Sequence, residues 1–508
     1  MMYPYKPDWR SYLFCFFIGA LLTLGFMPNN ILNIIDLSWL GILCPGMLLT
    51  YWCMASARQA FWQGLCFGLG LFGIGVSWVY ISIHTYGNAN WLCAGLITGA
   101  FILLLSLFTA VTGYLLKRCA DLNHFTGLCF AFPLIWTAGE LLRSYLFTGF
   151  PWLLLGSTQT TSFLGNYAPI FGVYGVSFIT ALSTGLLTYV VLHRGREQRR
   201  QTRISFGIFV LIWLLGGFGL NHIQWTTIDN NQPIKVSLIQ GNIPLSMKWD
   251  PQSASNIANT YANLTLQHWN NVVIWPENAL PIFPAEAQPF LNALARLAQQ
   301  HNSAILTGLP IYKPDPDRYY NGAMVFGNGS GEYLKYHLVP FGEYVPLDAY
   351  FGRLLQFLKI PMSDFSAGPY RQSLVQMLDF PVAVFTCYEI AYAAQIRDNL
   401  QNAAFIATIS DDSWFGHSLG ALQQEQIAQM RALETGRYVL SASNDGMTAI
   451  INERGDIVAQ APRYTRTVLS GTIYPATGQT PWVRYGYWPL SVLVLLSLIL
   501  WRSRRPKF

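Results

Sequence analysis

Seven apolar stretches of roughly membrane-crossing length crowd the first 220 residues, at about 11–28, 37–55, 60–82, 90–116, 125–147, 168–192 and 204–220. An eighth lies at 485–501. A helix that spans a bilayer needs about 20 mostly apolar residues, so these runs commit much of the chain to lipid. Composition agrees. Only 11% of the 508 residues are charged and the mean hydropathy is +0.30, whereas soluble proteins carry about 25% charged residues. The first run lacks a small-x-small cleavage site and is followed by further runs, so it is expected to be retained and not removed as a signal peptide.

Lysine and arginine mark one side of the expected membrane part. Lys6 and Arg10 precede the first run, Arg58 lies between the second and third, and Lys117 and Arg118 follow the fourth. Arg194, Arg196, Arg199, Arg200 and Arg203 follow the sixth, and Arg502, Arg504, Arg505 and Lys507 follow the eighth. The alternate gaps, such as 84–90, carry almost no Lys or Arg. Cytoplasmic loops collect these residues. With eight spans every cluster therefore falls inside, both termini are cytoplasmic, and 221–484 faces outward, onto the periplasm in a bacterium. The net charge of +6 is then a topology signal and not a nucleic-acid footprint.

Three parts are expected: a seven-span bundle over 1–220, an outer domain over 221–484, and an eighth span with a basic tail over 485–508. In the outer region β-rich runs at 235–240, 272–275, 304–309, 322–326, 382–386, 405–410, 438–443, 447–452 and 468–474 alternate with helical patterns at 257–268, 285–300 and 419–435. Such alternation predicts a layered α/β domain.

Seven of the eight cysteines (Cys15, Cys44, Cys53, Cys66, Cys93, Cys119 and Cys129) sit within or beside apolar runs and read as small hydrophobes. Cys387 alone lies in the outer domain. It follows the strand pattern 382–386 and precedes Tyr388 and Glu389, where a helix could open. A strand-to-helix turn exposes a nucleophile and offers backbone N–H groups to an oxyanion, and a helix N-terminus favours a thiolate. The alternative is a buried structural cysteine, but an oxidising compartment normally pairs such residues and this domain offers no second cysteine. No Cys-x-x-Cys or His-Glu-x-x-His spacing occurs, so neither a metal site nor a cofactor is expected.

A thiol nucleophile needs a base and a stabiliser of charge. Histidine is one option, with His222, His268, His301, His337 and His417 as candidates. A carboxylate with a lysine is the other. Glu277 ends the apolar run 272–275 after Pro276, where a strand end faces a cleft, although solvated loop acids are common. Lys335 opens a segment, 333–346, whose two prolines and glycine imply a rigid loop. Beside a thiol it would lower the thiol pKa; alone it reads as a surface lysine. Within the fifth run Glu140 and Arg143 stand three residues apart, where they can pair on one helix face or line a lipid path.

Trp275, Pro276 and Glu277, then Lys335 followed by Leu338 to Glu343, then Cys387, Tyr388 and Glu389, in this order and spacing, resemble the nitrilase superfamily. With spans on both sides of the domain, the chain resembles its membrane-embedded branch, the apolipoprotein N-acyltransferase family. The resemblance implies an αββα sandwich, with Glu277 as general base, Lys335 as charge stabiliser and Cys387 as nucleophile. It also implies supporting or substrate-binding roles for Glu343, Tyr388, Glu389, Trp249 and Trp414. The implied activity moves a fatty acyl group from a phospholipid, through a Cys387 thioester, to the N-terminal amine of a diacylglyceryl-cysteine apolipoprotein. The implied enzyme is a monomer of the bacterial inner membrane. The chain departs from the family's pattern at Asp411, Asp412 and Ser413 before Trp414, and at Asn278 after Glu277. The resemblance also implies Arg353 as the counterpart of an arginine that the family carries after the proline of 333–346. Two other readings fit parts of the chain: a membrane-tethered amidohydrolase with the same triad, and a membrane receptor or transporter with an outer sensor domain.

Overall fold

The computed structural model describes residues 8–28, 36–87, 89–193, 199–315, 317–340, 342–344 and 365–503. The topology markers Lys6, Arg194, Arg196, Arg504, Arg505 and Lys507 lie outside these residues, as do Pro346 and Arg353. Two compact units emerge: residues 1–77, 95–224 and 484–508, and residues 78–94 and 225–483.

The first unit is helical. Among the described residues five helices are long and apolar enough to cross a bilayer: Trp9–Phe26, Leu37–Met54, Trp91–Cys119, Phe163–Leu192 and Arg199–His222. A sixth is counted if Ala57–Gly75 continues as one span into Trp78–Tyr86, which belongs to the second unit. The expected run at 125–147 is helical from the wide turn Gly127–Ala131 directly into Phe132–Tyr145, and that at 485–501 falls on the 16-residue helix Trp488–Ser503. Helices of apolar surface gain little from hydrophobic burial in lipid and associate through close backbone approach. Gly19 and Gly70 show this. A Cβ at either would collide with a backbone carbonyl, of Phe67 and of Phe16 respectively.

Glu140 and Arg143 both hold irregular backbone. Arg143 donates to the carbonyls of Phe150, Trp152 and Leu153, while Glu140 accepts from Trp136 Nε1 at 3.1 Å and from the Leu155 N–H at 2.7 Å. Non-helical backbone in a membrane bundle must be satisfied by protein, and these two charged side chains do so for 150–155.

The second unit is built from two sheets. Its strands are β1 (Thr227–Ile228), β2 (Ile234–Gln240), β3 (Val272–Ile274), β4 (Ala304–Pro314), β5 (Asp317–Gly327), β6 (Gly329–Ser330), β7 (Glu332–Leu334), β8 (Val375–Met377), β9 (Phe380–Thr386), β10 (Phe405–Ser410), β11 (Val439–Ser443), β12 (Ala449–Ile451), β13 (Ile457–Gln460), β14 (Thr467–Ile473) and β15 (Ala476–Thr477). One sheet runs β14-β2-β3-β4-β5-β7 and the other β13-β12-β11-β10-β9-β8-β6. In each, three central neighbours are parallel, β2-β3-β4 and β9-β10-β11. Helices connect them: Ala254–Gln267 and Gln288–Gln300 in the first sheet, Ala393–Leu400 and Gly420–Thr435 in the second.

Parallel strands covered on both faces read as continuous apolar runs. All residues of β3 and β10 are buried, and only Lys235 of β2 is exposed. Outward from β2–β4, Ile239, Val273, Trp275 and Ile305 pack with Ile257 and Tyr261 of one helix and Leu291 and Leu294 of the next. The predicted β-rich runs all fall on strands. The hairpin β4–β5 is longer than its apolar part because Lys313, Pro314 and Asp317 extend the pairing outward. The helix Ala393–Leu400 carries too few apolar residues in eight positions for its period to stand out in the sequence.

Candidate active site

Four chain segments deliver the candidate residues to one buried place. Glu277 follows β3. Its backbone is pressed against Gly308 of β4, where an added Cβ would lie 2.7 Å from the Glu277 Cα and 2.6 Å from the Asn278 nitrogen. Asn278 has φ +47°, a left-handed conformation that asparagine tolerates better than β-branched residues. Lys335 directly follows β7, its N–H donating to the Asn321 carbonyl at 2.8 Å.

Cys387 follows β9 with φ +52°. A non-glycine residue held in this region is strained and marks sites that the surrounding structure over-determines. Here the constraint is Glu389. Its carboxylate accepts from the N–H of Thr386 at 2.9 Å, and from the N–H groups of Tyr336 and His337 at 2.8 and 3.1 Å. Tyr333 Oη donates to it at 2.8 Å and Gln395 Nε2 at 2.8 Å. One carboxylate thus ties the turn carrying Cys387 to the strand end carrying Lys335.

The charged groups form a closed network. Lys335 Nζ lies 3.1 Å from Glu277 Oε1 and 2.9 Å from Glu343 Oε2, with 1% of the lysine side chain exposed. Asn321 Nδ2 donates to both carboxylates, at 2.7 Å to Glu277 Oε1. Burial lowers the affinity of Lys335 for its proton, but Glu277 and Glu343 outweigh it and hold the ammonium well above the usual lysine range. Lys335 is therefore a permanent cation.

Burial pushes the Cys387 thiol well up, Glu277 adds to this, and Lys335 opposes it without prevailing. Lys335 thus lowers the thiol pKa as expected, but burial and Glu277 outweigh it and the balance is upward.

The remaining predicted residues differ in their distance from this network. Tyr388 is half-buried and its ring lies 5.2 Å from that of Tyr392. Trp249 is half-buried after the one-turn helix Leu245–Lys248. Trp414 packs edge-on to Tyr86 at 5.4 Å, and its carbonyl accepts from Ser82 Oγ at 2.8 Å. Of the histidines, His301 stacks on Trp269, His337 on Tyr392, and His417 lies against Tyr464. Asn321, Gly308, Lys248 and Asp411 escape sequence reasoning. The first two lie in strands, and the last two take their place only through a contact spanning 163 residues. Among the described residues no group of three or more His, Cys, Asp or Glu has metal-site geometry.

Comparison with known proteins matches residues 18–186 to the family described as apolipoprotein N-acyltransferase N-terminal domain, and residues 235–481 to carbon-nitrogen hydrolase. The apolipoprotein N-acyltransferase of Coxiella burnetii is 43% identical over 488 residues, 95% of this chain and 98% of that protein. That of Methylococcus capsulatus is 38% identical over 491 residues, 96% of this chain and 95% of its own length. Among solved structures, Saccharomyces cerevisiae Nit3, a member of branch 10 of the nitrilase superfamily, is 18% identical with a TM-score of 0.37, covering 48% of this chain and 91% of its own.

Proposed function

The chain belongs to the apolipoprotein N-acyltransferase family, and from that premise we propose that it N-acylates lipoproteins with a phospholipid acyl group through a thioester on Cys387. The observation that carries the reading is the buried Glu277–Lys335–Glu343 network beside a cysteine held at positive φ.

In the first half-reaction Glu277 accepts the thiol proton while the sulfur attacks the phospholipid ester carbonyl. The carbonyl π pair moves to oxygen, and the Lys335 ammonium and the Tyr388 N–H stabilise that oxyanion. A preorganised cation in a dry site is worth more than in water because no solvent must reorganise. Collapse breaks the ester C–O bond. The lysophospholipid alkoxide leaves and takes the proton from Glu277, and a thioester remains. In the second half the amine of a diacylglyceryl-cysteine attacks the thioester, Glu277 takes the amine proton, and collapse expels the Cys387 sulfur, which is reprotonated. The product is an amide and kinetics are ping-pong. Glu343 shares Lys335 with Glu277 and keeps it placed. Glu389, Tyr388, Trp249 and Trp414 support the site or contact substrate.

The membrane part follows from the same reading. Two lipid substrates require a site opening at a bilayer. We assign eight spans, seven in 1–220 and one in 485–508, with 221–484 on the periplasmic face of the bacterial inner membrane and both termini cytoplasmic. The enzyme acts as a monomer. The test is a two-substrate assay with labelled phospholipid and a synthetic diacylglyceryl-cysteine peptide. Acyl-amide product that requires both substrates and disappears in Cys387→Ala is expected. Free fatty acid released at the same rate with or without the peptide would mean a hydrolase instead.

A further inference from the structure

Beside the proposed base lies a second buried ion pair that the two half-reactions do not use. Lys248 ends the one-turn helix Leu245–Lys248, and Asp411 directly follows β10. They form a salt bridge with 1% and 3% of their side chains exposed. Lys248 Nζ also donates to the Glu277 carbonyl at 2.9 Å. The Asp411 N–H donates to Glu277 Oε2 at 3.2 Å. One pair therefore grips Glu277 twice, at its main chain and at its carboxylate.

The two carboxylate oxygens are held differently. Oε1 accepts from Lys335 and Asn321, which fills its two lone-pair directions. Oε2 accepts from the Asp411 N–H, and its second lone pair is the one suited to receive a proton. The direction of that lone pair depends on where Asp411 sits. Asp411 is itself fixed, its Oδ1 accepting from Ser413 Oγ at 2.7 Å and from Asn444 Nδ2 at 3.3 Å. Asn444 in turn bonds the Ile243 carbonyl at 2.8 Å and the Ile243 N–H at 3.0 Å, closing onto the loop that leads to Lys248. A buried ion pair is weak as a source of stability, because desolvation offsets the attraction, and apolar replacements are often as stable. Its geometric effect on Glu277 is what the surroundings preserve.

We infer that Lys248 and Asp411 are a positioning pair that orients Glu277 Oε2 for proton transfer in both half-reactions. The inference rests on Glu277 being the base.

The experiment compares Lys248→Met, Asp411→Asn and the double variant with wild type and Glu277→Gln, measuring kcat, KM for the phospholipid and the thermal midpoint. Misplacing a reacting group by about 1 Å costs about 100-fold in rate, so each single variant should lose roughly 10- to 100-fold in kcat with KM within about threefold. The double variant should be no worse than the poorer single one, because the two residues act as a unit. If Lys248→Met does not fold, the double variant, which removes both charges together, carries the comparison. A kcat within about threefold of wild type in the folded variants, with Glu277→Gln inactive, overturns the positioning role alone. A loss confined to KM overturns it equally. Wild-type kcat in Glu277→Gln instead overturns the base assignment and the inference with it.

Discussion

At Cys387 burial and the Glu277 carboxylate outweigh Lys335, so the thiol holds its proton. On the proposed mechanism the nucleophile is then made during the reaction, by proton transfer to Glu277, and is not stored as a thiolate. The sign of the pH dependence follows. Below its pKa a thiol gains about tenfold in thiolate for each pH unit, and an unperturbed cysteine levels off near about 8.5. Alkylation of Cys387 by iodoacetamide, read on its own peptide by mass spectrometry, should be slow at neutral pH. It should keep rising past the pH where an ordinary thiol levels off. A plateau reached below pH 7 would contradict this account of the site. The cation beside it behaves oppositely, since Glu277 and Glu343 keep Lys335 charged across this range.

The elements carrying these residues are set by backbone contacts more than by the residues themselves. Gly308 in β4 is an example. An alanine Cβ there would lie 2.7 Å from the Pro276 carbonyl oxygen as well as crowding Glu277, so Gly308→Ala must push the turn that carries Glu277, the proposed base, away from its strand. Overpacking of this kind costs about 1–3 kcal/mol, and the larger effect should be on rate: kcat down by roughly tenfold or more in a protein that still folds. Wild-type kcat in a folded Gly308→Ala variant would show that the contact does not place Glu277. Gly308 also shows why part of the site was not legible in the sequence. Glu277, Lys335 and Cys387 each stand beside a recognisable break, a Trp-Pro, a proline-framed loop or a strand-to-helix turn, and their order can be read along the chain. Gly308 and Asn321 are ordinary strand residues until β4 pairs with β5 and places them against Glu277. Lys248 and Asp411 become partners only when the one-turn helix Leu245–Lys248 meets the residue that follows β10. The balance at Cys387 is hidden for a related reason: sequence shows that a lysine can lower the thiol pKa, but not how deeply both groups are buried.

Across the whole molecule, the alternation of apolar runs with β-rich runs is strong enough to separate a helical part from an α/β part without any structure. Span count is harder. Among the described residues five helices, or six with the broken pair, are long and apolar enough to cross a bilayer, whereas helix Phe132–Tyr145 carries Glu140 and Arg143 for the sake of segment 150–155 and so departs from a plain apolar span. The proposed orientation is tested with single cysteines placed in a background lacking the native ones, inactive but otherwise intact. A cysteine near Arg118 should resist a membrane-impermeant thiol reagent in intact cells, and one near Arg454 in the outer domain should react. The reverse pattern would overturn the topology. The central claim is that acyl groups pass through Cys387. Its most direct measurement is the intact mass of the purified protein after exposure to phospholipid without an amine acceptor. The account predicts one added acyl chain, localised to Cys387, released by a diacylglyceryl-cysteine peptide and absent in Cys387→Ala. An adduct of the same mass persisting in Cys387→Ala would contradict it.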